Sequence, residues 1–285
     1  MIDVLVTGAD GFIGAELVAR LRQEGRQVLA LGRGAGDIAD PALWRALPPA
    51  REVMHLAARS YVPDSWQDSL DFMRVNVMGT EVAIDYCRRH GAALVFASAY
   101  IYGIPTHLPI SEADPVRPNN PYALSKFLAE QLCEFAATYH GVPVTVLRLF
   151  NVFGAGQRED FLIPTVMRQV KAAEEIRVLN LEPRRDYVYI DDVVAALCAS
   201  RKGIGFRRFN IGSGVSLSVR DVVETIQFVA GTRLSVNEAT QVRPNEIPDM
   251  RANIAAAADA LKWQPEYSFA QGVERMLTQA AAQTK

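Results

Sequence analysis

IDVLVTGADGFIG, residues 2–14, decides the fold. Ile2 to Val6 is an apolar run that reads as a buried strand. Gly8, Gly11 and Gly14 follow, and Phe12 to Glu24 then carries Ile13, Leu17, Val18 and Leu21 at helical spacing. Strand, glycine turn and helix in that order make the first half of a dinucleotide-binding unit. The turn needs residues without a Cβ so that backbone can approach a pyrophosphate. The helix start then offers free N–H groups and the positive end of its dipole to that anion. This reading assigns Gly8, Gly11, Phe12, Ile13 and Gly14 to a cofactor.

Gly25 is a natural end for that helix, and Val28–Leu31 is a second strand. The end of this strand separates NAD from NADP. An Asp or Glu about 20 residues past the glycines holds a ribose 2′-OH, whereas an arginine suits a 2′-phosphate. Here the strand ends Leu31-Gly32-Arg33, with no later carboxylate before Asp37. Arg33 is therefore read as a 2′-phosphate partner, and NADP is favoured over NAD. The alternative is a solvated loop arginine with NAD bound in spite of the missing acid. Asp37 and Ile38 come next, where they can border the adenine.

Further along, a short helix is expected over Pro41–Leu47, a strand over Glu52–Leu56 and a helix over Phe72–His90. Leu56, Ala57 and Ala58 give a small-residue exit where backbone can meet the cofactor. Ala93–Ala97 is a strand with Ser98 at its carboxyl end, the edge at which doubly wound sheets bind ligands. A helix then runs from Tyr122 to about His140, and Val144–Leu149 is a further strand. The alternation predicts a Rossmann-like, doubly wound parallel α/β sheet over residues 1–150. Past Asn151 the pattern loosens. Helices are expected at Ile163–Glu174, Asp191–Ser200, Val219–Val229 (capped by Ser218), Met250–Trp263 and Phe269–Ala281, with strands at Tyr187–Ile190 and Phe209–Ile211. Residues 151–285 read as a smaller α/β substrate-binding lid, with 186–213 returning to the main domain.

Composition narrows the function classes. A net charge of −2 gives no general attraction to nucleic acid or an anionic membrane. No apolar stretch is long enough to span a bilayer, and the chain enters its first strand with no room for a signal peptide. Cys87, Cys133 and Cys198 are an odd number, far apart in apolar sequence, which fits reduced thiols in a cytoplasm. His55, His90, His107 and His140 show no ligand spacing, so no metal is expected.

The chemistry gathers on Tyr122 and Lys126. Four residues apart at a helix start, they project from one face. A neighbouring ammonium favours a phenolate, so the tyrosine is expected to titrate below its ordinary value near 10. Ser98 can hydrogen-bond the same substrate oxygen. Taken alone the pair could be ordinary helix surface; it gains meaning downstream of the glycine turn and Ser98.

At these residues the chain resembles the extended short-chain dehydrogenase/reductases that act on nucleotide-diphosphate sugars. The resemblance covers nearly the whole length: TGADGFIG (7–14), HLAA (55–58), ASAYIYG (97–103), NPYALSK (120–126), LRLFNVFGAGQ (147–157), RRDYVYIDDV (184–193) and FNIGSG (209–214). It implies that Ser98, Tyr122 and Lys126 are catalytic and that Lys126 also holds the nicotinamide ribose. It implies that Asn151 lies against the substrate's phosphates and that Arg185 and Arg243 meet the nucleotide. Ser60, Val62 and Ser65 fall in a loop near the sugar, Tyr100 joins the substrate site, and Asn76 is a structural position. Family 4,6-dehydratases carry an Asp-Glu pair directly after the catalytic hydroxyl residue; here those positions are Ala99 and Tyr100. That argues against dehydration. Reduction of a 4-keto-6-deoxy sugar and epimerisation through a transient ketone remain, beside a non-catalytic NADP-binding regulator. GQREDF (156–161) and RPNEIP (243–248) lean towards enzymes of GDP-linked deoxymannose sugars. The resemblance also implies a homodimer built from a four-helix bundle of Phe72–His90 and Tyr122–His140.

Overall fold

A computed structural model describes residues 2–201, 203–239 and 246–282. The first half alternates: β1 (Ile2–Thr7), α1 (Phe12–Gln23), β2 (Val28–Leu31), α2 (Pro41–Arg45), β3 (Ala50–His55), α3 (Val62–Gln67), α4 (Ser69–Phe72), α5 (Gly79–His90), β4 (Ala93–Ala99), α6 (Pro121–Tyr139) and β5 (Val144–Leu149). The second half adds β6 (Asn151–Phe153), α7 (Leu162–Lys171), β7 (Ile176–Val178), β8 (Arg184–Tyr189), α8 (Ile190–Ala199), β9 (Phe206–Ile211), β10 (Ser216–Ser218), α9 (Val219–Ala230), β11 (Val236–Glu238), α10 (Ala255–Leu261) and α11 (Phe269–Ala282).

Six strands form one parallel sheet in the order β2-β1-β3-β4-β5-β9. The direction of winding reverses between β1 and β3, and ligands bind outside the carboxyl ends of strands at such a reversal. Both faces are covered, which is why β1, β3 and β5 are apolar runs rather than alternating ones. One core includes Leu17, Leu21, Val193 and Leu197, where α1 packs on α8; the other includes Trp44, Tyr86, Cys87 and Cys133. Of residues 186–213, β9 enters this sheet and α8 packs on α1, whereas β8 pairs with β6 and β10 in a small sheet of its own.

Local chemistry explains the main boundaries. Asn120 caps α6 by accepting the Ala123 N–H at 2.8 Å, with Pro121 at the first helical position. Ser218 and Asp221 form a reciprocal capping box on α9. Gly91 and Gly231 end α5 and α9 in left-handed conformation.

Three expectations need correction. The helix predicted over Phe72–His90 is interrupted by a wider π-helical stretch, Met73–Met78. Within it Asn76 turns inward, where its side-chain amide accepts the Arg59 N–H, donates to the Arg59 carbonyl and donates to Ser125 Oγ, partners distant in sequence. The helix predicted over Met250–Trp263 shrinks to α10. Ala252 forms a parallel bridge with Ile110, Asn253 donates its backbone N–H to the Ile110 carbonyl, and Ala252 donates to Asp186. Those contacts hold residues 250–253 extended, against their helical composition. The third correction is Ser65. It is buried inside α3 with its hydroxyl bonded to the Val62 carbonyl, so it does not face a sugar.

Candidate active site

The glycine turn is a packing necessity. Gly8 adopts φ +67°, and a Cβ there would lie 2.8 Å from the Ala57 nitrogen on the β3 exit. A Cβ on Gly14 would lie 2.0 Å from the Gly8 carbonyl oxygen. The turn thus presses directly against the strand across the winding reversal, and α1 begins without a side-chain cap or an acidic residue in its first turn. Its first N–H groups are left for an anion. Phe12 and Ile13 are half-buried there. Phe12 lies under the lid loop, where a Cβ on Gly154 would come within 3.6 Å of its ring. Leu56, Ala57 and Ala58 line the opposite wall, the first two donating their N–H groups to Thr7 Oγ1 at 3.2 and 3.1 Å. Thr7 is held in turn by His55 Nδ1 at 2.8 Å. Burial drives the His55 imidazole down to about 3, so this buried ring is neutral.

At the end of β2, Arg33 is exposed and its guanidinium has no ion-pair partner among the described residues. Asp37 is engaged elsewhere: its carboxylate pairs with Arg74 and accepts the Ala39 N–H. Ile38 packs beside Gly79 and accepts the Trp44 indole N–H through its carbonyl.

Phe96 and Ser98 share one face of β4. Lys126 lies over that face with its ammonium 4.2 Å from the centre of the Phe96 ring. A helix joining two parallel strands runs back against them, so Tyr122, one turn before Lys126, stands nearer the carboxyl edge. There it packs against the Ala99–Ile101–Ala123 cluster, within electrostatic reach of Tyr100. Two elements of one βαβ unit, β4 and α6, thus carry Ser98, Tyr122 and Lys126. Ser98 Oγ is buried with no hydrogen-bond partner, and the Lys126 ammonium, also buried, makes no hydrogen bond among the described residues. Leaving such a hydroxyl unpaired costs about 1–3 kcal/mol. A ligand oxygen and a ribose hydroxyl would satisfy the two groups, so the residues present fit a nicotinamide dinucleotide and a carbonyl or hydroxyl substrate.

The electrostatics correct one expectation. Tyr122 is not pulled below its ordinary range: burial raises its pKa, and the Tyr100 phenol adds to the rise. The lysine is the group that gives way. Burial lowers Lys126 to about 8, partly opposed by Cys133 and Glu130. Desolvation is the dominant cause of both shifts. The phenol stays protonated across neutral pH, in the form that can donate a proton.

The expected substrate residues lie on several elements. Tyr100 is half-buried, its ring 6.0 Å from Phe150. Asn151 opens β6 level with Tyr187, and its amide donates weakly to the Asp186 carbonyl at 3.4 Å. Ser60 is exposed and Val62 half-buried on the segment leaving Ala58. Arg185 is tied down: it pairs with Glu246 and donates to the Ile247 carbonyl at 2.6 Å. Arg243 lies outside the described residues. Among the described residues no group of three or more His, Cys, Asp or Glu could hold a metal, and no helix is long and apolar enough to cross a membrane.

Sequence reasoning missed a buried polar network under the site. Arg148 grips Glu130 with Nε at 3.0 Å and Nη2 at 2.7 Å, both side chains being essentially inaccessible. Arg148 also donates to Tyr102, which donates to Asn210. The signal was present: one arginine in the buried strand VTVLRL and one glutamate on the inner face of an Ala-rich helix. Two carboxylates of RRDYVYIDDV proved to be staples. Asp186 accepts N–H groups from Ser213, Gly214 and Ala252 at 2.6 to 3.0 Å. Asp192 accepts those of Glu266 and Tyr267.

A doubly wound sheet with a glycine turn at its winding reversal and a Ser-Tyr-Lys group at its carboxyl edge is the architecture of an extended short-chain dehydrogenase/reductase. The chain belongs to the NAD dependent epimerase/dehydratase family, whose pattern it matches over residues 4–212. It is 30% identical to the GDP-6-deoxy-D-mannose reductase of Pseudomonas aeruginosa across 96% of both chains. It is 31% identical to the UDP-glucose 4-epimerase of Azospirillum brasilense, covering 95% of this chain and 90% of that one. Among solved structures it superposes on MoeE5 in complex with UDP-glucuronic acid and NAD (TM-score 0.92, 30% identity, 99% of each chain). It superposes equally fully on RMD from Pseudomonas aeruginosa complexed with NADPH (TM-score 0.89, 28% identity, 99% of this chain and 100% of that one). The protein is an enzyme of this nucleotide-sugar epimerase and reductase family, whose structural neighbours bind NAD or NADPH.

Proposed function

We propose that the protein is an NADP-dependent reductase of a nucleotide-diphosphate 4-keto-6-deoxy sugar, preferably GDP-linked. The observation that carries this is the trio at the edge of β4: an unpartnered buried Ser98 hydroxyl, a Tyr122 phenol held protonated by burial, and a buried Lys126 ammonium. A bound nicotinamide supplies the hydride. Ser98 orients the substrate carbonyl oxygen by a hydrogen bond. Tyr122 donates its proton to that oxygen as negative charge develops there. Lys126 holds the cofactor ribose and stabilises the phenolate that remains. In this reading Asn151 and Arg185 serve the phosphates and nucleotide, with Arg243, outside the described residues, assigned to the same role from sequence.

Several features favour this reading over its competitors. Ala99 and Tyr100 offer no carboxylate for eliminating water. The unpaired Arg33 suits a 2′-phosphate, and a dissociable NADPH suits a one-way reductase. The similarity to a GDP-6-deoxy-D-mannose reductase over nearly the full length supports the base and the sugar. A 4-epimerase is the second reading, favoured by the equal similarity to UDP-glucose 4-epimerases. It demands tightly held cofactor and turnover with none added. The two are separated by incubating the purified enzyme with a 4-keto-6-deoxy sugar and with UDP-hexoses, with and without NADPH.

The same reading includes a homodimer. On α6, Leu124, Leu128, Phe135 and Tyr139 are exposed at spacings of four and seven residues, with Leu70 and Met78 exposed beside the α5 start. This apolar stripe suits the four-helix bundle expected of the family.

A further inference from the structure

We propose that Asp10, in the glycine turn, supplies the carboxylate that β2 lacks and sets the cofactor preference against Arg33. The inference rests on the cofactor reading above. By sequence, Asp10 lies 23 residues before Arg33, and nothing in the spacing joins them. In the fold they meet. Ala9 donates its backbone N–H to the Leu31 carbonyl at 3.1 Å, which brings the turn alongside the end of β2. Asp10 Oδ2 then accepts the Arg33 backbone N–H at 2.8 Å. The fit is close: a Cβ on Gly32 would lie 2.8 Å from both Cγ and Oδ2 of Asp10. Gly32 is thus the residue that admits this carboxylate to the strand end.

The position matters because of what flanks it. On one side stands the start of α1, which receives the pyrophosphate; on the other stands Arg33. The ribose between pyrophosphate and adenine must pass this edge. Asp10 is exposed, and among the described residues its Oδ1 has no hydrogen-bond partner and it forms no ion pair with Arg33 or any other group. The edge therefore presents a free carboxylate oxygen, which accepts a hydrogen bond from a ribose 2′-OH, beside a free guanidinium, which pairs with a 2′-phosphate. The carboxylate repels the phosphate and the guanidinium attracts it. The chain then uses both nucleotides, with a preference for NADPH that Asp10 restrains.

Dissociation constants for NADPH and NADH, measured by nicotinamide fluorescence on the full chain, test this without any sugar substrate. Asp10→Asn keeps an acceptor for the Arg33 N–H and removes only the charge. It is expected to tighten NADPH about tenfold, since two exposed unit charges a few ångströms apart repel at the water-screened end of the range, and to weaken NADH several-fold, since a neutral acceptor replaces a charged one for the ribose 2′-OH. Arg33→Met is expected to move the ratio the other way. A merely structural Asp10 would weaken both nucleotides alike. An NADPH-to-NADH ratio in Asp10→Asn within twofold of the unaltered protein overturns the proposal. Failure of the unaltered protein to bind either nucleotide overturns the cofactor reading itself.

Discussion

At the scale of single residues the candidate site turns on two desolvated groups, a half-buried Tyr122 and a buried Lys126, whose pKa values shift in opposite directions. Tyr122 is raised by burial and remains a phenol across neutral pH. Replacing it with Phe should lower turnover about 10²-fold or more while nucleotide affinity stays within a factor of two. Equal turnover in the variant would remove Tyr122 from the chemistry. Lys126 titrates near 8 in the folded protein, against an ordinary value of 10.5. Its ammonium is present below about 8, so turnover should fall as pH rises through that value, and a profile flat to pH 9.5 would contradict its role. Stability should respond in the opposite sense. Between about 8 and 10.5 the unfolded chain binds a proton that the folded chain has lost, so this group stabilises the fold increasingly as pH rises through that window.

At the scale of elements, α6 carries Tyr122 and Lys126 at one end and Glu130 one turn beyond them. The Glu130–Arg148 bridge pins this helix to β5 with both partners fully buried. Breaking one side leaves Glu130 buried with only the longer 3.7 Å contact to Arg208, so Arg148→Met should cost about 3–5 kcal/mol, read from urea unfolding. The double variant with Glu130→Leu should recover most of that loss. Equal destabilisation in both would mean that packing, not charge, dominates. The long alternating elements were legible in sequence: β2 and β5 lie where their apolar runs ended, and α9 starts at the Ser218 cap. What escaped was set by partners distant in sequence. Residues 250–253 have helical composition but pair with Ile110 and Asp186. The three-residue strands β6, β7, β10 and β11 are too short to carry a periodicity. At the site, Ser98, Tyr122 and Lys126 could be named from motif and spacing. The raised tyrosine, the lowered lysine and the approach of Asp10 to Arg33 depend on burial and on a fold-wide contact that no local pattern encodes.

At the scale of the molecule, the exposed face of α6 bears on how copies of the chain associate. The exposed stripe of Leu128 and Phe135 should hold two copies together at micromolar concentration. Sedimentation of Leu128→Glu/Phe135→Glu should then give a monomer; a monomer in the unaltered protein would remove the dimer. The central claim is one-way hydride transfer to a 4-keto sugar with Tyr122 as the proton donor. The most direct measurement is NADPH oxidation, with NADH beside it, on GDP-4-keto-6-deoxymannose and its dTDP analogue. The account predicts rapid NADPH oxidation on the GDP sugar, slower use of NADH, and loss of both in Tyr122→Phe. No oxidation on either keto sugar, with UDP-hexoses interconverted in the absence of added cofactor, would contradict it and make the protein an epimerase.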